Sequence, residues 1–202
     1  MARGKIPGSV IKSIKNQVQQ TDQYKRAAQE ISREVFNSAK NDFFQEFESH
    51  PVTREVESGA DGANLSGTLN GYGNLFSFIG FNSASEPIAH LRSVLKSMMR
   101  LSKIKVRRGS NSSVSFDISM PDMKVITSAT PMPWESGRSW VRGIERGISG
   151  FGYYMSTRSR RFSRSGTAIQ SDSRLRGGAY VPTKYMSQML RNLDRNLRKL
   201  VR

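Results

Sequence analysis

The chain of 202 residues contains no cysteine, only two histidines and two tryptophans, and half as many acidic as basic residues, 16 Asp and Glu against 32 Lys and Arg. Without cysteine there are no disulfides and no thiolate metal sites, which fits folding in a reducing cytoplasm without covalent staples. His50 and His90 lack the second His or carboxylate at the spacing a zinc site needs, so no metal or other cofactor is expected; a turn residue and a helix-surface residue are their expected roles. No run of about 18 apolar residues exists, so a helical membrane span is excluded and no membrane partner is expected. The start, Met1 to Gly8, carries no apolar signal-peptide core.

Charge is abundant and unevenly spread. Residues 102 to 202 hold 20 Lys and Arg against 6 Asp and Glu, whereas residues 1 to 101 hold 12 against 10, a net of +14 opposite +2. A one-sided cationic field attracts polyanions or acidic protein surfaces, and speaks to partners rather than to fold. The length, with 36 % apolar residues, suits a single domain over 1–202 with one core.

Apolar residues recur at helical spacing from Ser9 to Phe47, through Ile11, Ile14, Val18, Tyr24, Ala28, Ile31, Val35, Ala39 and Phe43. The polar stretch 17–23 marks a break or a kink, which leaves residues 1–22 as a candidate N-terminal arm. His50-Pro51 should end the long helix near Ser49, because the residue before proline is pushed out of the helical region. Residues 52–58 alternate weakly, as a short strand would. Gly59 to Gly73 reads as a glycine-rich loop or hairpin, and Asn74 to Phe81 as a buried strand. Pro87 opens a helix with an apolar face from Ile88 to Leu101. Residues 103–106, 114–118 and 123–126 then alternate with period two between turn signals, which predicts a three-stranded antiparallel meander.

A short helix is expected around 139–146 and a strand over 151–155. The basic, Ser-rich residues 156–176 read as a mobile loop. Thr183 can cap a closing helix whose apolar stripe is Tyr185 or Met186, Met189, Leu190, Leu193, Leu197 and Leu200. The fold class is therefore α+β: a long N-terminal helix and a C-terminal helix packed on a mainly antiparallel sheet, with extended loops.

Motifs for chemistry are scarce. Gly71-Tyr72-Gly73-Asn74 lacks both the preceding strand and the Gly-Lys-Ser/Thr ending of a phosphate loop. Glu55 and Glu57, two apart, would share one face of a strand, and Glu135 and Glu145 sit among Arg138, Arg142 and Arg146, where salt bridging explains them. No enzyme activity is expected. Arg158, Arg160, Arg161, Arg164, Arg174 and Arg176, flanked by Tyr153, Tyr154 and Phe162, are the candidate interaction residues. They can neutralise phosphates without reading sequence, or fork onto the carboxylates of an acidic protein.

Several strings point further: His50-Pro51-Val52-Thr53-Arg54-Glu55-Val56-Glu57, Ser66-Gly67-Thr68-Leu69, Gly73-Asn74-Leu75-Phe76-Ser77-Phe78-Ile79-Gly80-Phe81, Trp134-Glu135-Ser136-Gly137 and Ala179-Tyr180-Val181-Pro182. With the order of elements, they make the chain resemble the head-tail connector and tail-completion proteins of tailed bacteriophages. In that family a long first helix leads into a loop around a Thr-Gly or Ser-Gly pair. A sheet comes next, then an aromatic residue with a Glu-x-Gly turn, and a Phe or Tyr near the proline that starts the last helix. Ser66-Gly67, Trp134-Glu135-Ser136-Gly137 and Tyr180-Val181-Pro182 fill those slots; the Gly-rich loop, the arginine loop and the basicity depart from the pattern.

The resemblance implies a structural virion protein, made in the host cytoplasm. It would form a homo-oligomeric ring in the neck, six-fold in preference to twelve-fold, that joins portal or adaptor proteins to tail proteins around a channel for DNA. Leu65, Leu69 and Tyr72 in the Gly-rich loop are then candidates for contact between subunits. The arginines would clamp an acidic neighbouring ring or touch genome DNA non-specifically. The protein partner is favoured, because cationic contacts slow a polyanion that must pass quickly.

Overall fold

The computed structural model describes residues 8–19, 21–69, 73–107, 113–133, 137–147, 153–156, 169–174 and 180–200. Helix α1 (Gly8–Gln19) and helix α2 (Asp22–Ser49) are separate, as the polar stretch predicts. Thr21 restarts the helix: its hydroxyl accepts from the Tyr24 N–H, the usual N-cap bond. The buried face of α2 runs through Ala28, Ser32, Phe36, Ala39, Phe43 and Phe47. It differs from the expected stripe, because Ser32 and Phe36 replace Ile31 and Val35, and Ile31 is left 60 % exposed. Ser32 is tolerated in the core because its hydroxyl donates to the Ala28 carbonyl at 2.7 Å.

Proline ends α2 at Ser49 as expected, but the next element is helix α3 (Pro51–Glu57), not a strand. Proline is pre-organised for the first helical position, and His50 serves both as C-cap of α2 and as N-cap of α3, its Nδ1 accepting from the Val52 N–H. The expected strand 74–81 is likewise helix α4 (Leu75–Ile79), between an Asn74 N-cap and Gly80 at φ +88°. A short apolar run does not distinguish a buried strand from a buried helix; the Asn and Gly at its ends decide.

Helix α5 (Pro87–Met98) leads into β1 (Arg100–Arg107), which pairs antiparallel with β2 (Ser113–Ser119). Ile104 stands opposite Phe116, and Lys103 and Lys105 are exposed. The third meander strand is absent: Asp122 accepts from the Val125 N–H and starts helix α6 (Met123–Ala129). Helix α7 (Trp140–Arg146) falls where expected. Strand β3 (Tyr153–Ser156) pairs antiparallel with β4 (Ile169–Arg174), so part of the segment expected as a loop is a strand. The last element is α8 (Met186–Leu200).

The architecture is thus mixed α and β, with the sheet reduced to two separate hairpins among the described residues. The core forms mainly between helices. Met186, Met189, Leu193 and Leu197 of α8 are buried alongside Phe36, Phe43 and Phe47 of α2. Phe47 stacks on Tyr185 at 6.3 Å, and Trp140 meets Phe81 edge-on at 5.9 Å. Burial of that apolar area is the main driving force.

Candidate functional site

Two carboxylates that the sequence hides organise the surface. Glu55 and Glu57 do not share a face, because α3 is a helix and residues two apart on a helix diverge. Glu55 turns inward and is fully buried. Its Oε2 accepts from the Leu65 and Ser66 N–H groups at 3.0 and 2.6 Å, and its Oε1 from the Leu75 N–H at 2.8 Å. A buried carboxyl group is tolerated when it is this well hydrogen-bonded, and here it pins the glycine-rich loop to the start of α4. Asn74 completes the anchor. Its amide nitrogen lies at 3.0, 2.8 and 2.8 Å from the carbonyls of Gly59, Ala60 and Gly62, and its Oδ1 accepts from the Ser77 N–H.

Glu57 turns outward to Arg92 of α5, which also makes two 2.7 Å bonds with Glu48 of α2. The Glu48 and Glu57 bonds hold Arg92 above its ordinary range, and the Arg92 bond holds Glu48 below the usual carboxylate range. The loop is tied at its far end too. The Val181 N–H donates to the Thr68 carbonyl at 2.9 Å, and the Thr68 and Thr183 hydroxyls are 3.0 Å apart.

The expected inter-subunit contacts of this loop divide. Leu65 is 44 % exposed, whereas Leu69 is buried in the chain's own core, which removes it as a contact for a neighbour. Tyr72 lies outside the described residues. Arg158, Arg160, Arg161, Arg164 and Arg176 also lie outside them, and Arg174 ends β4. Of the aromatic positions, Phe76 and Trp140 are core and Phe78 is half-buried against Tyr180, while Trp134 lies outside the described residues.

The second carboxylate is Glu145. Its Oε1 accepts from the Tyr185 and Ser187 N–H groups at 3.2 and 2.7 Å, so α7 supplies the cap of α8 in place of Thr183. The expected salt bridges of Glu145 with Arg142 and Arg146 are absent. Beside it lies a cleft of about 400 Å³ lined by Met123, Lys124, Thr127, Ser128, Arg142, Glu145, Arg146 and Ser187.

Among the described residues no group of three or more His, Cys, Asp or Glu can hold a metal ion, and no helix is long and apolar enough to cross a membrane. His50 is half-buried against the Tyr185 ring at 4.8 Å, and burial lowers its pKa. No protein-family model, no curated protein and no solved structure matches this chain.

Proposed function

We propose that the chain is a structural virion protein of the phage neck, a ring subunit that joins portal to tail and leaves a channel for DNA. The reading rests on the sequence resemblance, and one observation carries it into three dimensions. Ser66-Gly67-Thr68 and Tyr180-Val181-Pro182, two of the strings that make the resemblance and more than a hundred residues apart, meet through the Val181 to Thr68 backbone bond. The two strings thus belong to one hydrogen-bonded region of the fold.

A ring also requires a surface that reaches a neighbour by a heterologous contact whose rotation closes. Leu65 on the anchored loop and the 45 % and 52 % exposed Val10 and Val18 of α1 supply apolar points for such contacts. Arg158, Arg160, Arg161 and Arg164 are proposed to clamp an acidic neighbouring ring. The alternative is sequence-independent nucleic-acid binding, favoured by exposed Lys103 and Lys105 on a hairpin in the basic half.

Light scattering at low and high salt, with negative-stain images of the same sample, separates the two. Rings that persist in high salt are expected, since aromatic and backbone contacts are poorly screened. A monomer at every salt concentration that binds duplex DNA, with affinity falling steeply between about 50 and 200 mM salt, overturns the ring reading.

A further inference from the structure

We propose that the cleft between α6, α7 and the start of α8 binds an acidic segment of a partner protein, with Lys124, Arg142 and Arg146 pairing its carboxylates. The three cations approach one cleft from two helices: Arg142 and Arg146 are one turn apart on α7, and Lys124 stands on α6. All three are exposed, and among the described residues none has an ion pair or a side-chain hydrogen bond. Like charges one helical turn apart repel. Elsewhere the chain pairs its cations where carboxylates are near, as Arg92 and Arg198 do. Here the near carboxylate, Glu145, is directed to the N–H groups of Tyr185 and Ser187 instead.

Ile126, Val141, Ile144 and Met186 of the same three helices are fully buried, which seats the walls on the core. A site held in place before binding spends less on ordering when its ligand arrives.

The chemistry selects among anions. Glu145 on the lining opposes a dense phosphate dianion, while a peptide carboxylate carries one charge and matches the planar guanidinium fork. Met123 and Thr127 offer apolar surface to the methylenes of a glutamate side chain. The concave shape suits a narrow segment better than the convex backbone of a duplex whose grooves are roughly 6 and 12 Å wide. The proposal is independent of the ring reading: it concerns residues of one subunit, and a monomer can satisfy it.

The test is fluorescence anisotropy of a labelled hexaglutamate peptide titrated with the full chain at low salt, with inorganic pyrophosphate and a short duplex DNA as competitors. Binding that weakens roughly ten-fold or more in R142E/R146E, and in K124E from the other helix, is expected, with K25E on the exposed face of α2 unchanged. Two separate helices guard against one variant failing to fold. Equal binding by the charge-reversed variants overturns the proposal. So does pyrophosphate or duplex DNA that displaces the peptide at lower concentration than unlabelled hexaglutamate does. Light scattering on the same variants keeps the outcomes apart: rings that remain while peptide binding is lost leave the ring reading standing, and lost rings with intact peptide binding leave this one.

Discussion

The glycine-rich loop around Glu55 and the cleft around Glu145 use the same elementary chemistry, a carboxylate accepting backbone N–H groups at a helix start, with opposite results. At Glu55 the hydrogen bonds converge: three N–H groups meet on the carboxylate, Asn74 gathers three carbonyls, and Thr68 ties the far end to Val181. Residues 59–69 of the glycine-rich stretch are thereby held by hydrogen bonds, with Leu69 in the core. At Glu145 one carboxylate oxygen is taken by the start of α8, and among the described residues three neighbouring cations have no ion pair. The first arrangement builds a loop; the second leaves charge available to a partner. Identical residue types thus give structure or surface according to whether their neighbours' needs are met within the chain.

That contrast is most sharply broken at Glu55. Glu55→Ala leaves the Leu75 N–H of a buried bond and the Leu65 and Ser66 N–H groups of part-buried ones without an acceptor, and at about 1–3 kcal/mol for a buried unsatisfied group a loss of about 3 kcal/mol is expected in urea unfolding. A loss below about 1 kcal/mol would mean that the loop does not depend on the anchor. Glu145→Ala removes only a partly exposed cap, so a smaller loss of about 1–2 kcal/mol is expected by the same measurement, with the helical signal of α8 frayed at its start.

The smallest effect concerns His50, the cap of the helix that carries Glu55. Burial disfavours the charged ring and Nδ1 accepts the Val52 N–H, which only an unprotonated nitrogen can do; these outweigh the Lys184 backbone acceptor, which favours the charged form. Its folded pKa lies below the ordinary value of 6.5, chiefly through burial. Above pH 6.5 both states are neutral and the group contributes no pH dependence. As pH falls below that value the unfolded chain takes up the proton first, so stability declines until the folded pKa is passed. Unfolding midpoints of wild type and His50→Asn, whose side chain also caps, should therefore converge as the pH is lowered from 7.5 to about 5.

Much of the helix content was legible from spacing and punctuation. The break near Thr21, the end of α2 at Ser49, the start of α5 at Pro87 and the stripe of α8 all come from apolar periodicity, caps and proline. Three expected strands failed, at 52–58, 74–81 and 123–126, each in a segment of at most eight residues. Over so short a length the period is poorly defined, and the signals that decided were the caps His50, Asn74 and Asp122. Both organising carboxylates are visible as residues, but their roles are not. A strand would put Glu55 on one face with Glu57, and the arginines on either side of Glu145 make it look like one member of a local charge cluster.

By itself the sequence determined the absence of thiol chemistry, the concentration of positive charge in the second half, and the positions of the long amphipathic helices. These depend on composition or on neighbours a few residues apart. Only the tertiary structure decided that Leu69 belongs to the core, that Glu55 reaches Leu65, Ser66 and Leu75, and that Lys124 faces the same cleft as Arg142 and Arg146. Each of these depends on where separate elements meet, and hydrogen bonds and charges act over a few ångströms of space rather than along the chain.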